Sequence, residues 1–172
     1  MPIRNRRKSF ISFLLLMIVG TVLSGRISAQ TPAQSAPASA CAQKLDRLLA
    51  TSSYVYKAHR SDVWSIAFDK ESLKDFKVVV STDNNDMVVI FVIVAPKARL
   101  NLTLEFMQTL LHANHDFDFV KIGTDNDGDL FVRADSTCRL LDLAALKASI
   151  EQVASSANEL HGRVKGWISA DK

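Results

Sequence analysis

Two hydrophobic periods organise the chain after residue 40, one near 3.6 residues and one of two. From residue 143 onward, Leu143, Leu146, Ile150, Val153, Ala157, Leu160, Val164 and Trp167 recur at alternating spacings of three and four, so one side of a long helix is apolar throughout. Asp142 is its N-cap, and Gly162 and Gly166 weaken its final turns. A stripe of this length forms a short coiled-coil seam or covers a sheet, and covering a sheet is the commoner outcome. A shorter helix over residues 42–50 places Leu45, Leu48 and Leu49 opposite Lys44 and Arg47, starting near Ser39 and ending in the Thr51, Ser52, Ser53 run. A third starts from Asn101 as N-cap and closes at Asn114, with Leu104, Met107, Leu110 and Leu111 expected to form its packed stripe.

The period-two segments read as strands. Residues 54–56 and 63–68 are aromatic and β-branched, with Trp64, Ile66 and Phe68 on one face, and form one strand interrupted around residues 60–62. Residues 76–80 and 87–94 flank a turn-forming cluster at 81–86 and make a hairpin. The run from Met87 to Val94 has no polar alternation at all, which is the pattern of a central strand covered on both faces, by helices on one and by a partner subunit on the other. Residues 119–122 and 130–133 make a second hairpin through 124–129, where Gly128 supplies a positive φ. The order is α-β-β-β-α-β-β-α: an α+β domain with an antiparallel sheet of about five strands and three helices packed on it.

Upstream, Arg4, Arg6, Arg7 and Lys8 precede an apolar stretch over residues 10–23, followed by small residues to Ala29. This is the layout of a secretory signal peptide, and the apolar stretch is shorter than the ~20 residues a spanning helix needs. The expected organisation is a leader at 1–29, a flexible linker at 30–40, one domain at 41–168 and a tail at 169–172, with a periplasmic or secreted bacterial destination. The membrane enters only through the leader, before cleavage. Five of the 21 Lys and Arg residues lie in that leader and no Asp or Glu precedes Asp46, so the rest of the chain is slightly acidic. The basic pI is therefore no argument for nucleic acid, and no basic stripe exists to follow a phosphate backbone.

An exported chain lets its only two cysteines, Cys41 and Cys138, persist as a disulfide, and separate thiols are the alternative. Closing a loop of roughly a hundred residues would constrain the unfolded chain by about 4–5 kcal/mol. Candidate reactive groups are sparse. Asp125, Asp127 and Asp129 resemble a calcium loop, but counting from Asp125 the sixth residue is Leu130 and the twelfth is Ser136, where an EF-hand needs Gly and Glu, so the segment reads as a turn. His112 and His115 have a spacing used by metal sites, with Asp116 and Asp118 following, but no complete ligand set accompanies them. His59 and His161 have no indicated partner. No Gly-x-Ser-x-Gly elbow and no phosphate-binding glycine loop is present.

Leu110, Leu111 and Asn114, then Val120 and Ile122, the run 125–134 with Asp125, Asp127, Gly128, Asp129, Leu130, Phe131, Val132 and Arg133, and the closing helix through Val164 and Trp167 together resemble a YbjN domain. That bacterial family is labelled as sensory-transduction regulators. The resemblance spans residues 41–168 and implies a small, frequently dimeric α+β domain related to the type III secretion chaperone fold, with no catalytic or cofactor residues to carry over. The leader departs from the family's usual pattern. The resulting expectation is an exported, non-enzymatic, protein-binding or chaperone-like regulatory module of the cell envelope, partnered by another protein or a second copy. The alternative is a small metal-dependent or hydrolytic periplasmic enzyme built on His112, His115 and the nearby aspartates.

Overall fold

The computed structural model describes residues 38–83 and 86–169. The expected leader, most of the linker, the centre of the first hairpin turn and the end of the tail lie outside the described residues. Helix α1 (Ala40–Thr51) begins at Ser39, whose hydroxyl accepts from the Ala42 N–H at 3.1 Å, and buries Cys41, Ala42, Leu45 and Leu49. Four strands follow: β1 (Tyr56–Arg60), β2 (Val63–Phe68), β3 (Phe76–Thr82) and β4 (Met87–Ala95). Then come α2 (Leu104–Asp116), β5 (Lys121–Thr124), β6 (Leu130–Thr137) and α3 (Leu143–Val164).

The sheet has six antiparallel strands in the order β1-β2-β3-β4-β6-β5. The sixth arises where sequence suggests one interrupted strand. The interruption at residues 61–62 is a complete reversal, so β1 folds back on β2 with Tyr56 opposite Ile66 and Ala58 opposite Trp64. In all other respects the expected element order holds.

Helix α3 packs across β3, β4 and β6 and buries Leu146, Ile150, Val153, Ala157, Leu160 and Val164, the stripe that its periodicity marks. On its helix-covered face the sheet presents Trp64, Ile66, Val78, Val80, Val88, Ile90, Val92, Leu130 and Val132, all buried. Asp142 caps α3 by accepting from the Ala145 N–H at 2.8 Å.

Helix α2 departs from expectation. Leu100 bridges Ile168, and the Asn101 N–H donates to the Trp167 carbonyl at 2.9 Å, so this stretch is held extended against the chain's end. The helix therefore starts two residues after Leu102, with Thr103 as N-cap in place of Asn101. Its buried side is Phe106, Leu110 and Ala113, because the Phe106 ring is drawn against Trp167 with centroids 6.1 Å apart. Leu104, Met107 and Leu111 of the expected stripe face solvent. Asn114 does not end the helix. Its side chain donates to the Ile122 carbonyl at 2.7 Å and accepts the Ile122 N–H at 2.8 Å, which closes the outer edge of β5 as another strand would.

Cys41 and Cys138 form a disulfide with Cα atoms 5.9 Å apart, tying the first turn of α1 to the 3-10 turn Cys138–Leu140 that links β6 to α3. The Lys44 ammonium donates to the Cys138 carbonyl at 2.7 Å beside it. Replacing both cysteines, Cys41→Ser with Cys138→Ala, is expected to lower the unfolding free energy by about 2–5 kcal/mol in urea titrations under oxidising conditions, with the wild type falling to the same value after reduction.

Candidate docking surfaces

The candidate reactive groups are not brought together. His112 and His115 are exposed on α2. Asp116, which follows them, accepts from Arg163 at 2.7 Å, and that guanidinium also bonds Glu159 and lies 4.7 Å from the centre of the Phe117 ring. The Arg163 hydrogen bond holds the Asp116 carboxyl below its ordinary range. The aspartates of the second hairpin serve its turn. Asp125 accepts the Asp127 and Asp129 N–H groups at 3.0 and 2.9 Å, Asp129 accepts the Lys97 N–H at 2.8 Å, and Gly128 has φ 88°. Among the described residues one set of three ligand-type side chains converges, Cys41, Cys138 and Asp86, and two of its members are joined in the disulfide.

Two serine–histidine contacts exist that the sequence did not signal. His59 meets the Ser65 hydroxyl at 2.8 Å across the β1–β2 pair, and His161 Nδ1 meets the Ser72 hydroxyl at 3.0 Å. Among the described residues neither imidazole is hydrogen-bonded to a carboxylate, so neither has the orienting group a nucleophile–base pair uses. Burial, and then repulsion from Arg99 and Lys165, hold the His161 imidazole below its usual pKa, while the Ser72 contact opposes them.

What the fold does assemble is surface. Alternate residues of β4, namely Met87, Val89, Phe91 and Ile93, point away from the helices. Ile93 is 37% exposed, and no element of the described chain covers this face. Phe131 and Arg133 extend it onto β6, opposite Ile93 and Phe91 in register, around a recess of about 240 Å³. A charged border flanks the apolar patch: Asp135 accepts from Lys121 at 2.7 Å and from Arg133 at 2.9 Å. Burial alone would raise the Asp135 pKa, but these two bonds outweigh it and hold the carboxyl below its ordinary value. A second apolar strip runs along α2, where Leu104 is 75% and Leu111 69% exposed with Met107 between them. A third feature is a groove of about 500 Å³ between α1 and the β1 edge, bordered by Ala42, Gln43, Asp46, His59, Arg60 and Trp64.

With this geometry in view, the molecule is similar to a number of solved structures, of which three are described. One is the ExsC–ExsE complex, at 15% identity, covering 72% of this chain and 95% of that one, with a TM-score of 0.55. The second is the heterodimeric ExoU–SpcU complex from the type III secretion system of Pseudomonas aeruginosa, at 19% identity, 72% and 97% coverage and a TM-score of 0.50. The third is the Yersinia pestis type III secretion chaperone SycH in complex with a stable fragment of YscM2, at 12% identity, 70% and 98% coverage and a TM-score of 0.51. The fold is that of type III secretion chaperones. No family model and no curated protein matches the chain.

The His161 environment has a measurable consequence. An unfolded histidine takes up a proton near pH 6.5, whereas the folded one resists until lower pH, so the unfolded state binds more protons in that window and stability falls on acidification. Denaturation midpoints measured from pH 7.5 to 5 should decline through this range. His161→Gln should flatten that decline while leaving the midpoint at pH 7.5 nearly unchanged.

Proposed function

We propose that this chain is an exported, non-catalytic protein-binding module, chaperone-like and of the YbjN type, which works in the bacterial cell envelope by offering apolar surface to a protein partner or to a second copy of itself. The observation that carries this reading is β4. Strands apolar on both faces belong to sheets covered on both sides. Here α3 lies over Val88, Ile90 and Val92, and the opposite row of Met87, Val89, Phe91 and Ile93 is left without a cover. The exposed strip on α2 adds to the same argument, since a patch of neighbouring large apolar side chains marks an interaction site more often than an idle surface. The similar solved structures are complexes with other proteins, which supports a partner-binding role. The alternative of a small enzyme has weaker support, because its candidate groups are dispersed as helix-end and turn residues.

Two experiments test the reading. Light scattering on residues 30–172 should give a dimer, and Ile93→Lys, a surface substitution, should return a monomer with an unfolding midpoint within a few degrees of wild type. A monomer at every concentration up to the millimolar range, for wild type and variant alike, would sink the self-association arm. For the destination, residues 1–29 fused ahead of a reporter that is active only outside the cytoplasm should yield activity. Loss of that activity is expected when Leu14, Leu15 and Leu16 are replaced by Asp.

A further inference from the structure

The side of the sheet that carries β5 and β6 is closed along part of its length and open along the rest. On β5, both backbone groups of Ile122 that face outward are taken up by the Asn114 side chain. But β5 is only four residues long, pairing Lys121 with Arg133 through Thr124 with Leu130, whereas β6 continues to Thr137. Beyond Arg133 the strand has a neighbour on the β4 side alone, with Ser136 opposite Val88 and Thr137 opposite Met87.

The hydrogen-bond pattern says which groups are left. The Asp125 N–H donates to the Asp129 carbonyl at 3.1 Å at the mouth of the hairpin, so the odd-numbered residues of β6 address β5 and the even-numbered ones address β4. The Cys138 N–H donating to the Asp86 carbonyl at 2.9 Å on the β4 side agrees with that alternation. It follows that the N–H and C=O groups of Asp135 and Thr137 face the edge that β5 does not reach.

Further features lie on this edge or follow it directly in the chain. Phe119, which would stand opposite Asp135 if β5 continued, instead has φ 62° and turns the chain away, leaving its ring 91% exposed. Leu140, three residues past Thr137, is 71% exposed. Between the strand and α3 lies a groove of about 400 Å³ bordered by Phe119, Asp135, Ser136, Ala148, Ser149 and Gln152, where small α3 side chains leave room. Asp135 also has a second carboxylate oxygen, Oδ1, that is buried and without a partner among the described residues.

We propose that residues 134–137 of β6 are a strand-addition site for an extended segment of a partner polypeptide. The segment pairs with the Asp135 and Thr137 backbone groups, sets apolar side chains four residues apart against Phe119 and Leu140, and gives an N–H or hydroxyl donor to Asp135 Oδ1. Only an extended chain offers alternating donors and acceptors at the two-residue repeat this edge requires. A second copy is the poorer occupant, since pairing over four residues buries far less than the ~1,200–2,000 Å² of a stable protein–protein interface. This site adjoins the outer face of β4 at Asp135 but does not depend on that face being an interface.

The test uses residues 30–172 and a capped synthetic nine-residue peptide of alternating Val and Thr, with Leu residues four apart and Lys at both ends. Residue-resolved hydrogen exchange should show the Asp135 and Thr137 amides exchanging at least tenfold more slowly with saturating peptide, and the Ser136 amide unchanged. Thr137→Pro removes an edge donor without touching the β4 ladder, and Phe119→Asn keeps the left-handed backbone while deleting the ring. Either change should weaken peptide binding about tenfold or more with the fold retained by circular dichroism. Ile93→Lys, which tests the outer face, should leave it unchanged. No peptide binding at millimolar concentration overturns the proposal, as does protection of both amides in the free monomer. Protection that grows with protein concentration alone overturns the choice of occupant in favour of a second copy.

Discussion

Packing of the α3 stripe onto one face of a twisted antiparallel sheet is the contact on which the other features depend. Leu146, Ile150, Val153, Leu160 and Val164 meet Val88, Ile90, Val92, Leu130 and Val132 in a continuous core, and burial of such side chains contributes about 1.5–3 kcal/mol each. A strand has two faces and one helix layer covers only one. Once α3 takes the even-numbered side of β4, its odd-numbered residues must face outward, whatever their hydrophobicity. The uncovered patch is thus a geometric consequence of the core and not a separate device.

The same packing sets the ends and edges. Helix α1 joins the core through Leu45 and Leu49, and the Cys41–Cys138 bridge fastens its first turn where β6 gives way to α3. Helix α2 reaches the sheet mainly at β5, where Asn114 closes the edge through one side chain with both a donor and an acceptor. A short β5 beside a long β6 leaves part of β6 without a neighbouring strand on that side. The histidines and aspartates that could have made a reactive centre are distributed over turn and helix-end positions, where they cap, pair and solvate.

The apolar row on β4, bordered by the Lys121, Arg133 and Asp135 network, offers area together with a charged rim, the composition of protein contact surfaces, and α2 carries a second exposed apolar strip. The fold that carries these surfaces is that of type III secretion chaperones, and the three similar solved structures named above are complexes.

The periodic elements were legible from sequence alone because burial leaves its mark on a single chain. The α3 stripe, the Asp142 cap, the hairpin into β4 and the Gly128 turn all follow from spacing and side-chain type. The double-sided hydrophobicity of β4 was legible too, and the described chain covers one of its two faces. What sequence could not decide were outcomes of competition between distant segments. The side of α2 that packs is fixed by Phe106 reaching Trp167, some sixty residues away, and the helix start by the bridge from Leu100 to Ile168. Asn114 reads locally as a helix terminator and becomes a strand mimic only because Ile122 arrives beside it. The reversal that makes β1 and β2 two strands, and the open end of β6, depend on pairing register and relative strand length. Those quantities belong to pairs of segments and have no signature in either one.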